Sequence, residues 1–112
     1  MTLFQKIIAR QIPARILSED DELIVLQDVN PQAPIHVLLV PKKPIQRLAE
    51  ATPEDGLILG KLLLKAQETA KALGISETGF RVVINSGQHG GETIPHLHLH
   101  LLGGRQFTWP PG

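Results

Sequence analysis

The chain of 112 residues contains no cysteine. Disulfide bonds, thiolate nucleophiles and zinc sites with thiolate ligands are therefore excluded, and the composition suits a reducing compartment. Net charge is also missing, because eleven basic residues balance eleven acidic residues. A chain without net charge has no overall field that attracts nucleic acid or an anionic membrane, so an anionic ligand must be bound locally.

Long apolar runs are absent as well. Every apolar segment is far shorter than the ~18 residues that a membrane-spanning helix requires. Residues 1–10 also lack the apolar core of a signal peptide. The length suits one domain over residues 1–112, which can bury about two-thirds of the surface that its unfolded chain exposes. These features predict a soluble, cytoplasmic domain with no nucleic-acid or membrane partner.

Apolar spacing and turn residues predict one short helix, one long helix and five strands. The helices are expected over residues 3–10 and 53–73, the second beginning at Thr52-Pro53 and ending before Gly74. In the long helix, the predicted buried stripe contains Leu59, Leu63, Ala66, Ala70 and Leu73, widened by Ile58 and Leu62. Strands are expected over residues 15–17, 23–28, 35–40, 80–85 and 96–102. The fold class is therefore α+β with a mainly antiparallel sheet.

The most informative segment is residues 96–102, His-Leu-His-Leu-His-Leu-Leu, which follows the glycine-rich run 87–92. Because a strand repeats its faces every two residues, a strand here places three imidazoles on one face and leucines on the other. A helix would leave no face purely imidazole or purely leucine. The alternation therefore predicts a strand with chemistry on one side.

Three explanations of this histidine face are open. Zinc catalytic sites use three protein ligands, but the outer histidines of an extended strand lie roughly 13 Å apart, too far for one ion unless the strand bends. A neutral imidazole can instead act as a nucleophile, with the hydroxyls of Ser86 and Thr93 and the glycine-rich run close to a reacting phosphate. A merely polar surface is disfavoured by the regular spacing. His36 stands alone on an apolar strand, and its position by itself suggests a core histidine.

Residues 96–102 resemble the histidine triad motif, His-φ-His-φ-His-φ-φ, in which φ is hydrophobic. The resemblance covers nearly the whole chain and is to the histidine triad nucleotide-binding branch of the HIT superfamily. It extends to Ile12-Pro13-Ala14, Asp28, residues 31–34, residues 41–43, Asn85, Gly90-Gly91, residues 103–106 and the ending Trp109-Pro110-Pro111-Gly112.

This resemblance implies a homodimer whose sheets join across a two-fold axis. It implies hydrolysis of purine nucleoside phosphoramidates, such as adenosine 5′-phosphoramidate, without a metal or other cofactor. His98 would attack the α-phosphorus and become nucleotidylated, and His100 would contact the phosphate oxygens. His96 and His36 would support them through hydrogen bonds, and Thr93 would provide a proton to the leaving group.

The resemblance also implies a pocket for a purine nucleotide of the AMP or GMP type. Asp28 would hold the ribose hydroxyls, and Asn85 with the backbone amides near Gly91 and Glu92 would bind phosphate. The expected nucleotide-binding residues are Ile12, Leu26, Asp28, Val29, Asn85, Gly91, Glu92, Thr93, Ile94, His98 and His100, with Ile12, Leu26 and Val29 enclosing the base.

Some positions depart from the usual pattern of this branch. Leu26 stands where an aromatic residue is frequent, Glu92 where glutamine is frequent, and Pro95 where tyrosine is frequent; Phe107-Thr108 alters the tail. A carboxylate at position 92 would repel phosphate unless it points away. Two different functions stay open: an enzyme that cleaves dinucleoside polyphosphates or transfers a nucleotide to a sugar phosphate, and a nucleotide-binding interaction module with little turnover.

Overall fold

The computed structural model describes residues 1–112 as two α-helices packed on one five-stranded sheet. The helices are α1 (Leu3–Ile8) and α2 (Gly56–Ala72), and the strands are β1 (Ile16–Glu19), β2 (Leu23–Gln27), β3 (Ile35–Pro41), β4 (Phe80–Val83) and β5 (Leu99–Gly103). The strand order is β1-β2-β3-β5-β4, and all neighbouring strands are antiparallel. The predicted α+β class is confirmed. No helix is long and apolar enough to cross a membrane.

Helix α2 covers one face of the sheet. A 3-10 turn at Pro53–Asp55 precedes it, where the Thr52 amide donates to the Asp55 carboxylate at 2.9 Å. Its buried residues are Ile58, Leu62, Ala66, Thr69 and Ala70. The predicted stripe is wrong in part, because the Leu63 side chain is 54% exposed. Adjacent leucine-rich stripes of similar spacing run along this helix, and contact with the sheet selects the one through Ile58 and Leu62.

The two faces of the sheet bury two separate cores. Thirteen buried residues form the larger core beneath α2, including Leu97, Leu99 and Leu101. The smaller core lies beneath α1 and contains Phe4, Ile7, Ile24, Leu26 and Val40. Because side chains alternate along a strand, the leucines of the histidine segment enter the larger core and leave the histidines on the face that α1 covers only in part.

The histidine segment joins the sheet later than predicted, since β5 begins at Leu99 and not at His96. Leu39 of β3 pairs with Leu99, so continued pairing would bring Leu97 opposite Pro41. Proline has no N–H to donate to a ladder. Pro41 therefore cannot donate to the Leu97 carbonyl. The Pro41 carbonyl accepts from His96 Nε2, and the Leu97 amide donates to the Ile45 carbonyl, both at 2.7 Å. The segment therefore bends away from β3 at the first two histidines.

Smaller differences concern element ends. Helix α1 ends at Ile8 and not at residue 10, where Arg10 has a φ of 63°, outside the right-handed helical region. Strand β1 is displaced toward Glu19, β2 ends one residue early, β3 extends to Pro41, and β4 ends at Val83. Residues 84–98 therefore form one long connection between β4 and β5, and this connection carries the glycine-rich run.

Candidate active site

A cleft of about 400 Å³ opens on the sheet face beside α1. The histidine segment, the ends of β2 and β3, and the connection after β4 also supply its walls. The lining residues are Leu3, Phe4, Ile7, Leu26, Gln27, Asp28, Val29, Asn30, Gln32, His36, Leu38, Asn85, Gly91, Thr93, Ile94, His98 and His100. A mainly apolar cleft with a few convergent polar groups is typical of a small-molecule site.

The pairing of β3 with β5 brings His36 and His100 together. Leu38 lies directly opposite His100, so His36 is its diagonal neighbour on the same face. The Gln32 amide donates to His36 Nδ1 at 3.0 Å, so a neutral His36 carries its hydrogen on Nε2. That nitrogen lies 2.9 Å from His100 Nδ1 and 3.3 Å from a carboxylate oxygen of Asp28. His100 therefore accepts at Nδ1 and keeps its own hydrogen on Nε2.

The backbone fixes the tautomer of His98 in the opposite sense. His98 Nδ1 lies 2.7 Å from the His96 carbonyl, which can only accept, so Nδ1 carries the hydrogen. The lone pair of a neutral His98 is consequently on Nε2. His96 Nε2 donates in the same way to the Pro41 carbonyl at 2.7 Å. His96 Nδ1 is buried without a hydrogen-bond partner. The site thus combines His98, whose Nε2 is a free basic nitrogen, with His100, whose Nε2–H is free to donate.

Burial keeps the three triad histidines uncharged. Loss of hydration lowers the pKa of His98, against the opposing effect of its hydrogen bond to the His96 carbonyl. Burial likewise lowers the pKa of His96. The pKa of His100 falls to about 4, first because of burial and then because of repulsion from His98 and His36 in their charged forms. At pH 7 the His98 lone pair is therefore available for attack on an electrophile.

Helix α1 contributes an aromatic wall that the sequence pattern does not reveal. Phe4 is buried, and its ring centroid lies 4.8 Å from that of His98 and 5.9 Å from that of His96. The ring excludes water from one side of His98 and limits its rotation. Leu3 and Ile7 of the same helix also line the cleft. The available sequence signal is the apolar face of α1, which by itself indicates only a packing surface.

The structure brings most of the predicted residues to one cleft but leaves three outside its walls. Ile12 packs against the smaller core, away from the lining. His96 lies behind the cleft and reaches it only through the carbonyl that binds His98. The Glu92 side chain points away from the cleft. The predicted residues that line it are Leu26, Asp28, Val29, His36, Asn85, Gly91, Thr93, Ile94, His98 and His100. Gln27, Asn30, Gln32 and Leu38 line it without having been predicted.

The glycine-rich run folds into a compact loop, residues 86–92. The Gly91 amide donates to the Gln88 carbonyl and the Glu92 amide to the Gly87 carbonyl, both at 3.1 Å. These two amides, expected to bind phosphate, are thus used within the loop. The Thr93 amide and hydroxyl have no hydrogen-bond partner in the protein, and Thr93 lines the cleft. Donors for an anion at this edge are therefore provided by Thr93.

Arg47 balances the charge of the Glu92 carboxylate. Arg47 Nε lies 2.8 Å from one carboxylate oxygen, and Arg47 Nη2 lies 3.1 Å from the other. The Gly87 amide adds a third hydrogen bond at 3.0 Å. The Arg47 guanidinium, followed by the Gly87 amide, lowers the pKa of Glu92. The repulsion between Glu92 and phosphate that the sequence suggested is removed by this pairing.

One group of side chains in the cleft is of the metal-ligating type. Ligand atoms of Asp28, His36 and His100 all lie within 4.8 Å of one another. However, the Nε2–H of His36 donates to Nδ1 of His100, so these two nitrogens already satisfy each other. A metal ion here would have to replace that hydrogen bond. The arrangement fits a hydrogen-bond relay better than a metal centre.

Comparison with known proteins gives a consistent picture. The HIT domain family model matches residues 9–107. An uncharacterised HIT-like protein of Synechocystis is 61% identical over 111 residues, covering 99% of this chain and 96% of the relative. The adenylylsulfatase HINT1 of Arabidopsis thaliana is 45% identical over 113 residues, covering 99% of this chain and 76% of that protein.

A solved structure agrees with these sequence relatives. The crystal structure of a HIT family hydrolase from Legionella pneumophila superposes with a TM-score of 0.98 at 45% identity, covering 100% of both chains. Family match, sequence relatives and superposition each cover most or all of the chain, and the family match spans the histidine segment. The chain therefore belongs to the HIT domain family.

Proposed function

We propose that this protein hydrolyses purine nucleoside phosphoramidates, such as adenosine 5′-phosphoramidate, through a covalent nucleotidyl-histidine intermediate and without a metal ion. The observation that carries the proposal is the state of His98. Its Nδ1–H is donated to a backbone carbonyl, its pKa is lowered by burial, and its ring lines the cleft. A neutral imidazole with a free Nε2 lone pair is a competent nucleophile toward phosphorus.

In the first step, His98 Nε2 forms a bond to the α-phosphorus while the bond from phosphorus to the leaving nitrogen breaks. The Thr93 hydroxyl passes a proton to that nitrogen, so that it leaves as an uncharged amine. His100 donates its Nε2–H to a phosphate oxygen, an arrangement that the hydrogen bond from His36 to His100 Nδ1 supports. Water then attacks phosphorus and the bond to His98 breaks. The proton that the attacking water loses returns to the Thr93 oxygen, and a nucleoside monophosphate is released.

The remaining cleft residues suit a purine nucleotide. We infer that Asp28, whose carboxylate lies 3.3 Å from His36 Nε2, accepts hydrogen bonds from ribose hydroxyls. Leu26 and Ile94 offer apolar walls for the base, and Val29 is 97% exposed at the rim. Asn85 and the Thr93 amide supply uncharged donors for phosphate. With Leu26 in place of a larger aromatic side chain, we infer room for either adenine or guanine.

The intermediate is tested by rapid-quench intact-mass measurement with adenosine 5′-phosphoramidate. Wild-type protein is expected to gain the mass of one adenylyl group transiently. His98→Ala should show no adduct and should lose turnover by roughly 10⁴-fold or more. His89→Ala is the matched control, because His89 is an exposed histidine outside the cleft walls. Equal turnover by wild type and His98→Ala would refute the mechanism, and loss of turnover in EDTA would refute metal independence.

A second substrate class is favoured by one comparison. The Arabidopsis thaliana relative is named an adenylylsulfatase. The same attack by His98 on an adenylyl sulfate would expel sulfate, which leaves as an anion and needs no proton from Thr93. Thr93→Val should therefore slow phosphoramidate hydrolysis by roughly 10²-fold while changing sulfate release little. Equal effects on both substrates would contradict the proton-donating role of Thr93.

Turnover of several substrates, measured side by side, also tests for a different HIT activity and for a binding module. Faster cleavage of a dinucleoside polyphosphate, or transfer of the nucleotide to a sugar phosphate, would identify the different activity. Tight binding of adenosine monophosphate with no turnover of any substrate would identify an interaction module. The neutral His98 and its relay argue for turnover, since binding alone does not require a free basic nitrogen.

We also propose that two copies associate. Leu57 and Leu64 of α2 are 73% and 65% exposed, and Phe80 is 38% exposed on the edge strand β4. These residues leave apolar surface uncovered, and the unpaired backbone of β4 could pair with its copy and extend the sheet. Small-angle scattering is expected to give a dimer-sized particle, and a monomer at working concentration would contradict this proposal. Cytoplasmic location stays a prediction.

A further inference from the structure

We propose that Arg47 is a positioning residue which, acting through Glu92, holds the loop 86–92 and thereby places the Thr93 donors beside His98. This inference rests on the proposed function. Arg47 lies outside the cleft lining and is separated from Glu92 by 45 residues in the chain. It therefore acts on the reaction only through the loop.

Arg47 belongs to a short segment, residues 45–49, that contacts this part of the chain at three points. We call this segment the brace. At the start of the loop, the Ala49 amide donates to the Ser86 hydroxyl at 3.2 Å. At the end of the loop, Arg47 pairs with Glu92. Beyond the loop, the Leu97 amide donates to the Ile45 carbonyl at 2.7 Å. The brace thus spans the whole approach to the catalytic histidines.

Glu92 closes the loop through two hydrogen bonds with Gly87. Its carboxylate accepts from the Gly87 amide at 3.0 Å while its own amide donates to the Gly87 carbonyl at 3.1 Å. The interior of the loop is tight, since a Cβ on Gly90 would lie 2.6 Å from the Ser86 carbonyl oxygen. Thr93 directly follows Glu92, so the last fixed point of the loop sets the position of the Thr93 amide and hydroxyl.

Because Glu92 is charged, replacing Arg47 and replacing Glu92 should have unequal effects on the reaction. A carboxylate next to Thr93 would oppose binding of an anionic substrate if it were unpaired, and Arg47 both neutralises and orients it. The pair is bidentate and partly shielded, with the Glu92 side chain 11% exposed. Removing Arg47 should therefore loosen the loop and add repulsion, whereas replacing Glu92 by glutamine should only loosen the loop.

The test compares Arg47→Gln, Glu92→Gln and the double variant. Steady-state kinetics with adenosine 5′-phosphoramidate and hydrogen exchange of residues 86–93 are measured on each. We expect Arg47→Gln to lower kcat/KM by about 10-fold or more, with a raised KM, and Glu92→Gln to lower it less. The double variant should recover to within about 3-fold of wild type, because two amides can hydrogen-bond without charge. Added salt should reduce the KM defect of Arg47→Gln, since it screens the unpaired carboxylate.

Glu50→Gln is the matched control, because it removes the other, more exposed carboxylate partner of Arg47 and leaves Glu92 in place. It should change neither kinetics nor loop exchange. Wild-type kinetics and wild-type loop exchange in Arg47→Gln would overturn the inference, as would a double variant worse than either single one. If wild type does not turn over the phosphoramidate, the proposed function fails. Loop exchange and the Kd for adenosine monophosphate then still decide whether Arg47 fixes the loop.

Discussion

Lowering the pH from 7 to 4 should destabilise this fold through His100 in particular. In the folded protein burial and the neighbouring histidines hold the pKa of His100 at about 4, against an ordinary value of 6.5. Between these two values the unfolded chain binds a proton that the folded chain does not. The free energy of unfolding therefore falls as the pH falls through this window and levels off below it.

The size of the effect follows from the width of the window. Each pH unit between 6.5 and about 4 is worth about 1.4 kcal/mol, which gives about 3 kcal/mol for His100. Burial lowers the pKa of His96 and His98 too, so they add losses of the same sign. Acidic groups whose pKa values are lowered, such as Glu92, begin to contribute only below their ordinary value of 4.5. The interval from pH 6.5 to 4.5 therefore reports mainly on the buried histidines.

Urea denaturation at fixed protein concentration measures this loss directly. Far-UV circular dichroism is the suitable probe, because the only tryptophan, Trp109, is 82% exposed and reports little on the core. His100→Asn removes the titrating group, and His89→Asn is the control at an exposed histidine. The stability difference between wild type and His100→Asn should shrink by about 3 kcal/mol from pH 7 to pH 4. Parallel pH profiles for these two proteins would refute the reasoning.

Two further predictions concern packing. Leu62→Ala should lower the free energy of unfolding by about 2–5 kcal/mol, because Leu62 is fully buried in the larger core. Leu17→Ala on the partly exposed β1 should lower it by less than about 1 kcal/mol. Similar urea midpoints for the two variants would contradict this. Gly90→Ala should lower activity more than roughly tenfold, because the added Cβ would meet backbone atoms of Ser86. His89→Ala, the control, should leave activity unchanged. Normal activity in Gly90→Ala would contradict the prediction and show that the loop can relax.

The architecture was predictable because the signals that specify it are local. Short apolar runs bounded by turn residues indicated the strands, alternation indicated the histidine strand, and Thr52 with Pro53 marked the start of the long helix. The start of β5 was not predictable in the same way, since it depends on Pro41 in a different strand. The buried face of α2 was also ambiguous, because a stripe through Leu62 and one through Leu63 have the same spacing, and only the sheet distinguishes them.

The cleft was predictable where the resemblance supplied single positions, such as Asp28 and His100. Its supporting contacts were not, because they join residues far apart in the chain or use backbone groups that every residue has. The Gln32 amide that fixes the tautomer of His36 is one example. The pairing of Arg47 with Glu92 is another: the sequence showed an unusual carboxylate, and only the fold shows its partner.

The alternation along the segment that enters β5 has a consequence for how this protein tolerates change. Leu99 and Leu101 are at most 1% exposed within the larger core, and each is bonded directly to His100 on the opposite face. A backbone shift that accommodates a differently shaped core residue would also move that imidazole. Since the contact between His36 and His100 spans only 2.9 Å, small shifts would weaken it. Altered packing beneath this segment should therefore lower substrate turnover even where the melting temperature of the protein is unchanged.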